Sequence, residues 1–343
     1  MKTEYYKVGA SDDAAIFERC GEIIRRGGLV AFPTETVYGL GVDANSGASV
    51  AKVFEAKGRP SDNPLIVHVA YPDDAERVAV TNETYYALAE RFMPGPLTVI
   101  LPKRDSVPDE VTAGLDTVGV RCPSHFAAHA LILAAGVPVA APSANLSGLP
   151  SPTTGEHVMR DMDGRIDAVI DAGECDIGVE STVIALRGNT AEILRPGGVT
   201  REDLLEVLDE VTVSPAVCDP SAAGDRPASP GMKYKHYAPR CEFRLVDAGK
   251  SDFINYVNSL DGRVGVICRE SVASSFNCPL KYTTCDDDDA RELCHSLFAI
   301  FRRADDDGAE ILCASLPDDK GASLALYNRM IRASGGKIIR PAF

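Results

Sequence analysis

Short apolar segments with strand character alternate with helical segments along nearly the whole chain, and this order limits the possible folds more than any other feature. Before residue 212, the apolar runs LVAF, LIVHV and TVGVRC are separated by segments with helical spacing of apolar residues, around residues 16–24, 49–56 and 85–92. Such an order is typical of a mixed α/β domain. The first part of the chain is therefore predicted to form a sheet covered by helices.

The alternation resumes after Cys241 in a second series. The apolar runs EFRLVD, VGVIC, LKYTT and AEILCASL are separated by helical segments. This order predicts a smaller parallel α/β domain of Rossmann-like or flavodoxin-like type. No G-x-G-x-x-G sequence follows a strand there, so dinucleotide binding is not indicated. The length of 343 residues also favours two domains, which we place at residues 13–211 and 241–343.

Residues 212–240 have a different composition from the domains on either side. This segment contains five prolines, shows no clear period and includes the basic and aromatic run KYKHY. A loop of this length in a compact protein is either a functional lid or a disordered tether. Both interpretations stay open, although KYKHY is unlike a purely solvating spacer.

The charge balance limits the class of partner. The chain has a formal net charge of −15, and 22 basic and 34 acidic side chains give residues 1–240 a net charge of −12. Nonspecific nucleic-acid binding depends on cationic side chains that displace counterions, so a general RNA-coating role is disfavoured. Any anion site in the first domain must therefore be a local concentration of basic groups.

Cysteine spacing and the absence of targeting signals predict the compartment. Ten cysteines are scattered along the chain and no two are separated by only two residues, so a zinc cluster is not expected. No apolar run is long enough to cross a membrane, and the N-terminus lacks the apolar core of a secretory signal. We therefore expect a soluble cytoplasmic protein with reduced, mostly buried thiols.

Two polar loops follow apolar strands early in the chain. PTETVYGLG offers the hydroxyls of Thr34 and Thr36 beside glycines that let a ligand approach the backbone. KGRPSDNPLIVH places Lys57, Arg59 and Ser61 within five residues, and such a cluster suits a polyphosphate. Taken alone, the first could be a simple turn and the second two surface cations.

Further polar groups occur at later strand ends. His68 closes one strand and Arg121 another, where the arginine needs either a bound carboxylate or an internal acidic partner. VESTV and LRPGG place Ser181 and Arg195 in similar positions. The loop APSANLSGLPSPTT could bind phosphate or ribose or form an ordinary turn, and its polar side chains are Ser143, Asn145, Ser147 and Ser151. The P-loop, zinc-protease and α/β-hydrolase motifs are absent.

In this order and spacing, PTETVYGLG, KGRP with NPL, DTVGVRCP, APSANLSG, ESTV and RPG resemble the YrdC-like domain of threonylcarbamoyl-AMP synthases. The segment SPGMKYKHYAP and the tail resemble the long, two-domain form of that family. The resemblance implies a YrdC-like twisted mixed sheet with helices, followed by the linker and the smaller Rossmann-like domain. It covers all but the first dozen residues and details of the tail.

The resemblance also implies substrates and residue roles. The family condenses L-threonine, bicarbonate or CO2, and ATP into threonylcarbamoyl-AMP, which a transferase complex uses to modify tRNA. Carried over by position, the residues that would hold ATP are Lys57, Arg59, Ser61, Thr117, Ser143, Ser151, Arg195, Tyr234 and Tyr237. Those that would hold threonine are Thr34, His68, Arg121, the backbone of Ala141, and Ser181.

The implied mechanism uses positioning and electrostatics, with no covalent nucleophile from the protein. A Mg2+ ion is expected on the phosphates, held by substrate oxygens and water rather than by protein side chains. A closing linker would protect the labile carbamate from water. Three alternatives stay open: O-carbamoyl transfer, whose known enzymes have a similar domain plus zinc fingers; an RNA-binding, translation-associated module; and a tail that docks onto a transferase complex.

Overall fold

The computed structural model describes residues 2–9, 13–222, 237–286 and 290–341. In the first part of the chain the strands are β1 (Glu4–Lys7), β2 (Val30–Phe32), β3 (Gly39–Asp43), β4 (Ile66–His68), β5 (Leu97–Pro102), β6 (Thr117–Arg121), β7 (Val139–Ala141), β8 (Ala168–Asp171), β9 (Thr182–Arg187), β10 (Thr190–Arg195) and β11 (Glu210–Val213). The helices are α1 (Ala14–Arg25), α2 (Gly47–Lys57), α3 (Glu83–Phe92), α4 (Asp109–Thr112), α5 (Phe126–Ala135), α6 (Gly155–Met162), α7 (Arg201–Leu204) and α8 (Pro215–Cys218). A 3-10 helix spans Pro72–Arg77, and another spans Pro220–Ala222.

These eleven strands join in one sheet, in the order β1-β8-β2-β3-β7-β4-β6-β5-β9-β10-β11. Parallel and antiparallel neighbours are mixed: β4 runs parallel to β6, for example, whereas β7 runs antiparallel to β4 and β5 antiparallel to β6. This arrangement confirms the predicted mixed α/β fold of the first domain.

The tail forms a second sheet. Its elements are β12 (Glu242–Val246), α9 (Lys250–Asn258), β13 (Val264–Arg269), a 3-10 helix (Glu270–Ser275), β14 (Leu280–Thr284), α10 (Ala290–Asp306), β15 (Ile311–Ser315), α11 (Ser323–Ala333) and β16 (Ile338–Ile339). The order is β14-β13-β15-β12-β16, and every pair is parallel. Apolar residues of α9 pack on one face and those of α10 and α11 on the other. The predicted parallel α/β tail is therefore confirmed.

Some local predictions need correction. The helix that we placed near residues 201–208 begins at a capping box formed by Thr200 and Asp203 but ends at Leu204, and residues 205–207 continue as turns. The strands β1 and β16 are absent from the prediction, since four and two residues are too few for a period to be seen. Within the segment 212–222, β11 extends to Val213 and α8 follows.

The tail packs directly against the first domain. Val37 and Val179 of the first domain lie in the same apolar cluster as Leu297 and Phe298 of α10. Gly178 has a φ of +78°, and a Cβ there would lie 2.2 Å from the carbonyl oxygen of His295 in α10. Apolar packing and a close backbone approach therefore fix α10 beside the loop that precedes β9.

The burial of the cysteines agrees with the sequence prediction. Seven of the ten cysteines are buried. Among the described residues, no helix is both long and apolar enough to cross a membrane.

Candidate active site

The cavity lies on one face of the first sheet, and the register of the central strands explains which side chains reach it. Side chains alternate between the two faces of a strand, and Ile66 pairs with Gly119 while His68 pairs with Arg121. On the opposite face, Val67 and Val120 join the main apolar core. One face of these strands is therefore buried in the apolar core. The other face directs the polar side chains at the strand ends into the cavity.

This cavity contains about 720 Å³ of empty space, part of which is open to solvent. Nine of the fourteen site residues predicted from the sequence line it: Thr34, Lys57, Arg59, His68, Arg121, Ala141, Ser143, Arg195 and Tyr237. Lys57, Arg121, Ser143 and Arg195, which come from four separate segments, therefore face one common space.

The other five predicted residues have different positions. Ser151 and Ser181 are fully buried behind the cavity wall. Ser61 is exposed in the loop after α2. Thr117 begins β6, four residues and therefore about 13 Å along the strand from Arg121. Neither Ser61 nor Thr117 lines the cavity, and Tyr234 lies outside the described residues.

Helix α2 delivers Lys57 to the cavity. Ser46 caps its N-terminus, and Gly58 ends it in the left-handed conformation with a φ of 61° directly after the lysine. The buried Lys57 Nζ donates to the carbonyl oxygens of Ser143 at 2.5 Å and Asn145 at 2.7 Å. Burial, and then the positive charge of Arg59, holds the pKa of Lys57 well below its usual value. An anion in the cavity would offset both effects.

Arg121 has an internal partner, which settles one alternative left open by the sequence. Its Nη2 lies 2.6 Å from Oε1 of Glu35, and both side chains are almost completely buried. The other oxygen of Glu35 accepts the backbone N–H of Ser124. The Nε of Arg121 is buried and has no hydrogen-bond partner among the described residues. The guanidinium thus keeps one donor for a ligand.

His68 is buried beside Arg121 and is neutral at physiological pH. Burial first, and then the charge of Arg121, lowers the pKa of His68 to about 3. Its Nδ1 makes no hydrogen bond within the described chain, and its ring meets Phe32 edge-on with centroids 6.0 Å apart. A buried, unpaired polar atom is costly, so Nδ1 of His68 and Nε of Arg121 together indicate a place for a polar ligand.

Thr34 forms the turn that the sequence allowed and also lines the cavity. Its hydroxyl donates to the carbonyl of Val37 at 2.7 Å and accepts the backbone N–H groups of Thr36 and Val37 at 3.2 Å. These contacts hold the PTET turn in shape beside the cavity.

Arg195 closes another wall of the cavity. Its Nε and Nη2 donate to the carbonyl oxygen and the hydroxyl of Ser181, each at 3.0 Å. The Ser181 hydroxyl also contacts that of Thr98 at 2.8 Å. The next loop comes very close, since a Cβ on Gly197 would lie 2.4 Å from the backbone oxygen of Glu180. The glycines of RPGG therefore allow this loop to pack on ESTV.

Glu180 and Tyr237 connect the cavity to the tail. The buried Glu180 accepts a hydrogen bond from Ser151, and its Oε2 lies 2.7 Å from Nε of Arg329 in α11. The positive charges of Arg329 and Arg195 and the bond from Ser151 outweigh burial and lower the pKa of Glu180. The ring of Tyr237 stacks on Phe298 of α10, with centroids 5.3 Å apart.

Sequence reasoning missed three residues of this site: Glu35, Glu180 and Arg329. Glu35 and Glu180 lie inside the motifs PTET and ESTV, and the available signal for Glu35 was the arginine at the end of β6, which needs either a bound carboxylate or an internal acidic partner. Arg329 lies within a helix whose sequence gives no sign of contact with the first domain.

The lining combines four cations with a neutral histidine and several hydroxyl groups. The cations are Lys57, Arg59, Arg121 and Arg195. Two carboxylates, Glu35 and Glu180, are each held by an arginine. Such a cavity can bind several anionic groups close together, although the whole protein has a net charge of −15.

Comparisons with known proteins agree with this geometry. Residues 22–197 match the Sua5/YciO/YrdC family, described as "Telomere recombination", and residues 199–335 match the family "Threonylcarbamoyl-AMP synthase, C-terminal domain". A Bacillus subtilis threonylcarbamoyl-AMP synthase is 40% identical, over 99% of this chain and 100% of its own length. This chain belongs to the threonylcarbamoyl-AMP synthase family.

Other members of this family and its fold relatives differ in how much of the chain they match. The threonylcarbamoyl-AMP synthase of Pyrococcus abyssi is 44% identical, over 92% of this chain and 93% of its own. A crystal structure of P. abyssi Sua5 in complex with L-threonine matches 99% of this chain and 100% of that one, with a TM-score of 0.92 and 41% identity. Escherichia coli YciO matches only 57% of this chain, at 22% identity and a TM-score of 0.51, and shares the fold.

Proposed function

We propose that this protein makes L-threonylcarbamoyl-AMP from L-threonine, CO2 or bicarbonate, and ATP, and releases diphosphate. The observation that carries the proposal is the convergence of Lys57, Arg121, Ser143 and Arg195 on one cavity. A cavity with separate cationic centres suits a reaction that joins an amino acid carboxylate, a carbamate and a triphosphate. Membership of the synthase family supports the same reaction.

The threonine half of the cavity is proposed around Arg121 and His68. The free Nε of Arg121 is suited to the substrate carboxylate, since the guanidinium is already fixed by Glu35. Nδ1 of the neutral His68 can share a hydrogen bond with the threonine hydroxyl or amine. Thr34 and the backbone of Ala141 lie beside them, and Ser181 supports this wall from behind through its bonds to Arg195 and Thr98.

The nucleotide half is proposed around the remaining cations. Lys57 and Arg59 lie in the loop and helix end that form one wall, and Arg195 forms another. Ser143 and the ring of Tyr237 lie between them. Ser151 would act through Glu180. Direct roles for Ser61, Thr117 and Tyr234 stay predictions.

The proposed chemistry proceeds in two steps. The deprotonated amine of threonine forms a C–N bond with CO2, and loss of a proton leaves a carbamate. A carbamate oxygen then attacks the α-phosphorus of ATP, and the bond between that phosphorus and diphosphate breaks. The protein contributes fixed positive charge along the phosphates and holds the two reactants in contact, so no covalent intermediate with the chain is needed.

Magnesium is proposed to enter as its complex with ATP. The two carboxylates at the cavity are each engaged by an arginine, and among the described residues no group of three His, Cys, Asp or Glu could hold a metal ion. This donor set suits a Mg2+ ion bound by phosphate oxygens and water, which would neutralise part of the phosphate charge.

The decisive experiment measures diphosphate release by the full-length protein with ATP, threonine and bicarbonate, and omits each in turn. We expect release only with all three present, and threonylcarbamoyl-AMP should be detected as the product. Release that does not need threonine would overturn the proposal. Serine working equally well would change only the substrate assignment.

The product is proposed to pass to a tRNA threonylcarbamoyl transferase in the cytoplasm. The alternative of an RNA-binding role makes a different prediction, namely tRNA affinity that falls steeply with salt concentration. We expect no such binding, because cationic side chains are outnumbered over residues 1–240.

A further inference from the structure

Arg329 belongs to the tail, yet its guanidinium lies against the catalytic cavity. The side chain is fully buried on α11. Its Nε donates to Oε2 of Glu180 at 2.7 Å, and Glu180 lines the cavity. Through Glu180 the contact continues to the hydroxyl of Ser151. A change at Arg329 would therefore be felt at the cavity wall of the other domain.

The same guanidinium also contacts Tyr237, 5.3 Å from the ring centroid. Tyr237 has a φ of +67°, which is unusual for a bulky residue and persists only where the surroundings hold it. Those surroundings include the ring of Phe298, which stacks on that of Tyr237, and the hydrogen bond from the Ala238 N–H to the Gly148 carbonyl at 3.1 Å. Two tail side chains thus contact a ring that lines the cavity.

A purely structural bridge between the domains would not need this location. Arg302 of α10 shows the alternative, since it is equally buried and pairs with both oxygens of Asp161, at 3.0 Å and 2.7 Å. Neither Arg302 nor Asp161 lines the catalytic cavity. By contrast, Glu180 and Tyr237, which Arg329 contacts, both do.

We propose that Arg329 is a positioning residue for the nucleotide half of the cavity, and that through it the tail domain completes the nucleotide-binding wall. Arg329 fixes the carboxylate of Glu180, which orients the hydroxyl of Ser151, and it fixes the ring of Tyr237. The identity of the ligand as ATP rests on the proposed function. A role for α11 in binding ATP would also give the tail a purpose within the enzyme itself.

The test compares four full-length variants: Arg329→Met, Arg329→Lys, Arg302→Met and Arg302→Lys. The measurements are the KM values for ATP and threonine, kcat for diphosphate release, the unfolding midpoint, and the calorimetric Kd for α,β-methylene ATP. For Arg329→Met we expect KM for ATP and the Kd of the analogue to rise at least about tenfold, because a buried charge loses its partner at the binding wall.

The same variant should change KM for threonine little. Arg329→Lys should recover part of the lost affinity, since it can still pair with Glu180 but cannot cover the ring of Tyr237 in the same way. Arg302→Met should lower the unfolding midpoint without raising the Kd of the analogue. Arg302→Lys should lower the midpoint less.

A double variant guards against simple misfolding. Glu180→Gln with Arg329→Gln leaves no unpaired charge at this contact, so the unfolding midpoint should recover relative to Arg329→Met. Affinity for the analogue should stay low. Wild-type affinity in the double variant would overturn the proposal, and so would an equal loss of affinity in Arg302→Met.

The outcomes also separate this proposal from the proposed function. If the wild-type protein releases no diphosphate with threonine, the reaction assignment fails, whereas weaker analogue binding by the Arg329 variants would still support positioning. If the reaction is observed and the Arg329 variants bind the analogue normally, only the positioning role fails.

Discussion

The two domains both bury charged side chains, but they use them differently. In the first domain, Lys57, Arg121 and Arg195 surround one cavity and can meet a ligand. In the tail, Arg302 of α10 contacts Asp161 of the first domain, and Arg332 of α11 contacts the carbonyl of Ala216 in α8. A buried cation therefore marks a ligand site only where a cavity adjoins it, and otherwise it can hold two domains together.

The difference also concerns the backbone. Cavity residues of the first domain come from strand ends and loops, where a polar group next to an apolar run is visible in the sequence. The docking residues of the tail come from helices, where arginine is normally exposed to solvent. Four predictions test whether this contrast between the domains is real.

The largest expected effect comes from removing the acidic partner of a buried arginine in each domain. Glu35→Gln leaves Arg121 unpaired, and Asp161→Asn leaves Arg302 unpaired, so each should lower the free energy of unfolding by about 3–5 kcal/mol. Denaturant titration measures both. Saturating threonine should restore part of the lost free energy of unfolding in Glu35→Gln, because the substrate carboxylate supplies the missing charge beside Arg121. If threonine stabilised both variants equally, the two buried arginines would not differ in their access to the ligand.

The second prediction concerns the cation at the end of α2. Lys57→Met should lower kcat/KM for ATP by about a hundredfold or more, because a fixed positive charge on the phosphates is lost. Steady-state diphosphate release measures the change. Lys52→Met is the matched control, since Lys52 lies on the same helix and contacts the Gly27 carbonyl away from the cavity. Comparable losses in the two variants would argue against a role at the phosphates.

The third prediction uses the pKa of His68, lowered from 6.5 to about 3. Below about pH 6.5 His68 binds a proton in the unfolded chain but stays neutral in the folded protein. Its contribution to the free energy of unfolding is therefore fully present above pH 6.5 and is lost progressively as pH falls towards 3. In His68→Gln the free energy of unfolding should therefore fall less steeply between pH 7 and 5, by up to about 1.4 kcal/mol per pH unit.

Chemical unfolding at several pH values measures this slope. Part of the decline should remain, because burial also lowers the pKa of His157 to about 4. An unchanged slope in His68→Gln would mean that the imidazole is not kept neutral by the fold.

The smallest effect is expected at an exposed contact between the domains. Arg160 of α6 pairs with Asp306 of α10 at 2.7 Å, and about half of each side chain is exposed. Arg160→Gln should change the free energy of unfolding by less than about 1 kcal/mol, because solvent and salt screen such pairs. A loss as large as that of Asp161→Asn would show that burial does not govern the docking contacts.

Local patterns predicted much of this molecule. The alternation of apolar strands and helices predicted both fold classes, and the helix expected at residues 49–56 lies within α2, which Ser46 caps and Gly58 ends. Among the site residues, Lys57 was visible from its cluster with Arg59 and Ser61, and Arg121 because a cation at the end of an apolar strand needs a partner. The short edge strand β1 was missed, since its pairing with β8 joins residues more than 160 positions apart.

The sequence by itself determined the strand and helix order, the two-domain division and the polar residues that strand ends present. Only the tertiary structure decided which of these residues share a cavity, that Glu35 neutralises Arg121, and that Arg329 reaches Glu180 from the other domain. The physical reason is that periodicity and capping depend on neighbours along the chain. The partner of a buried charge is set by how distant segments pack.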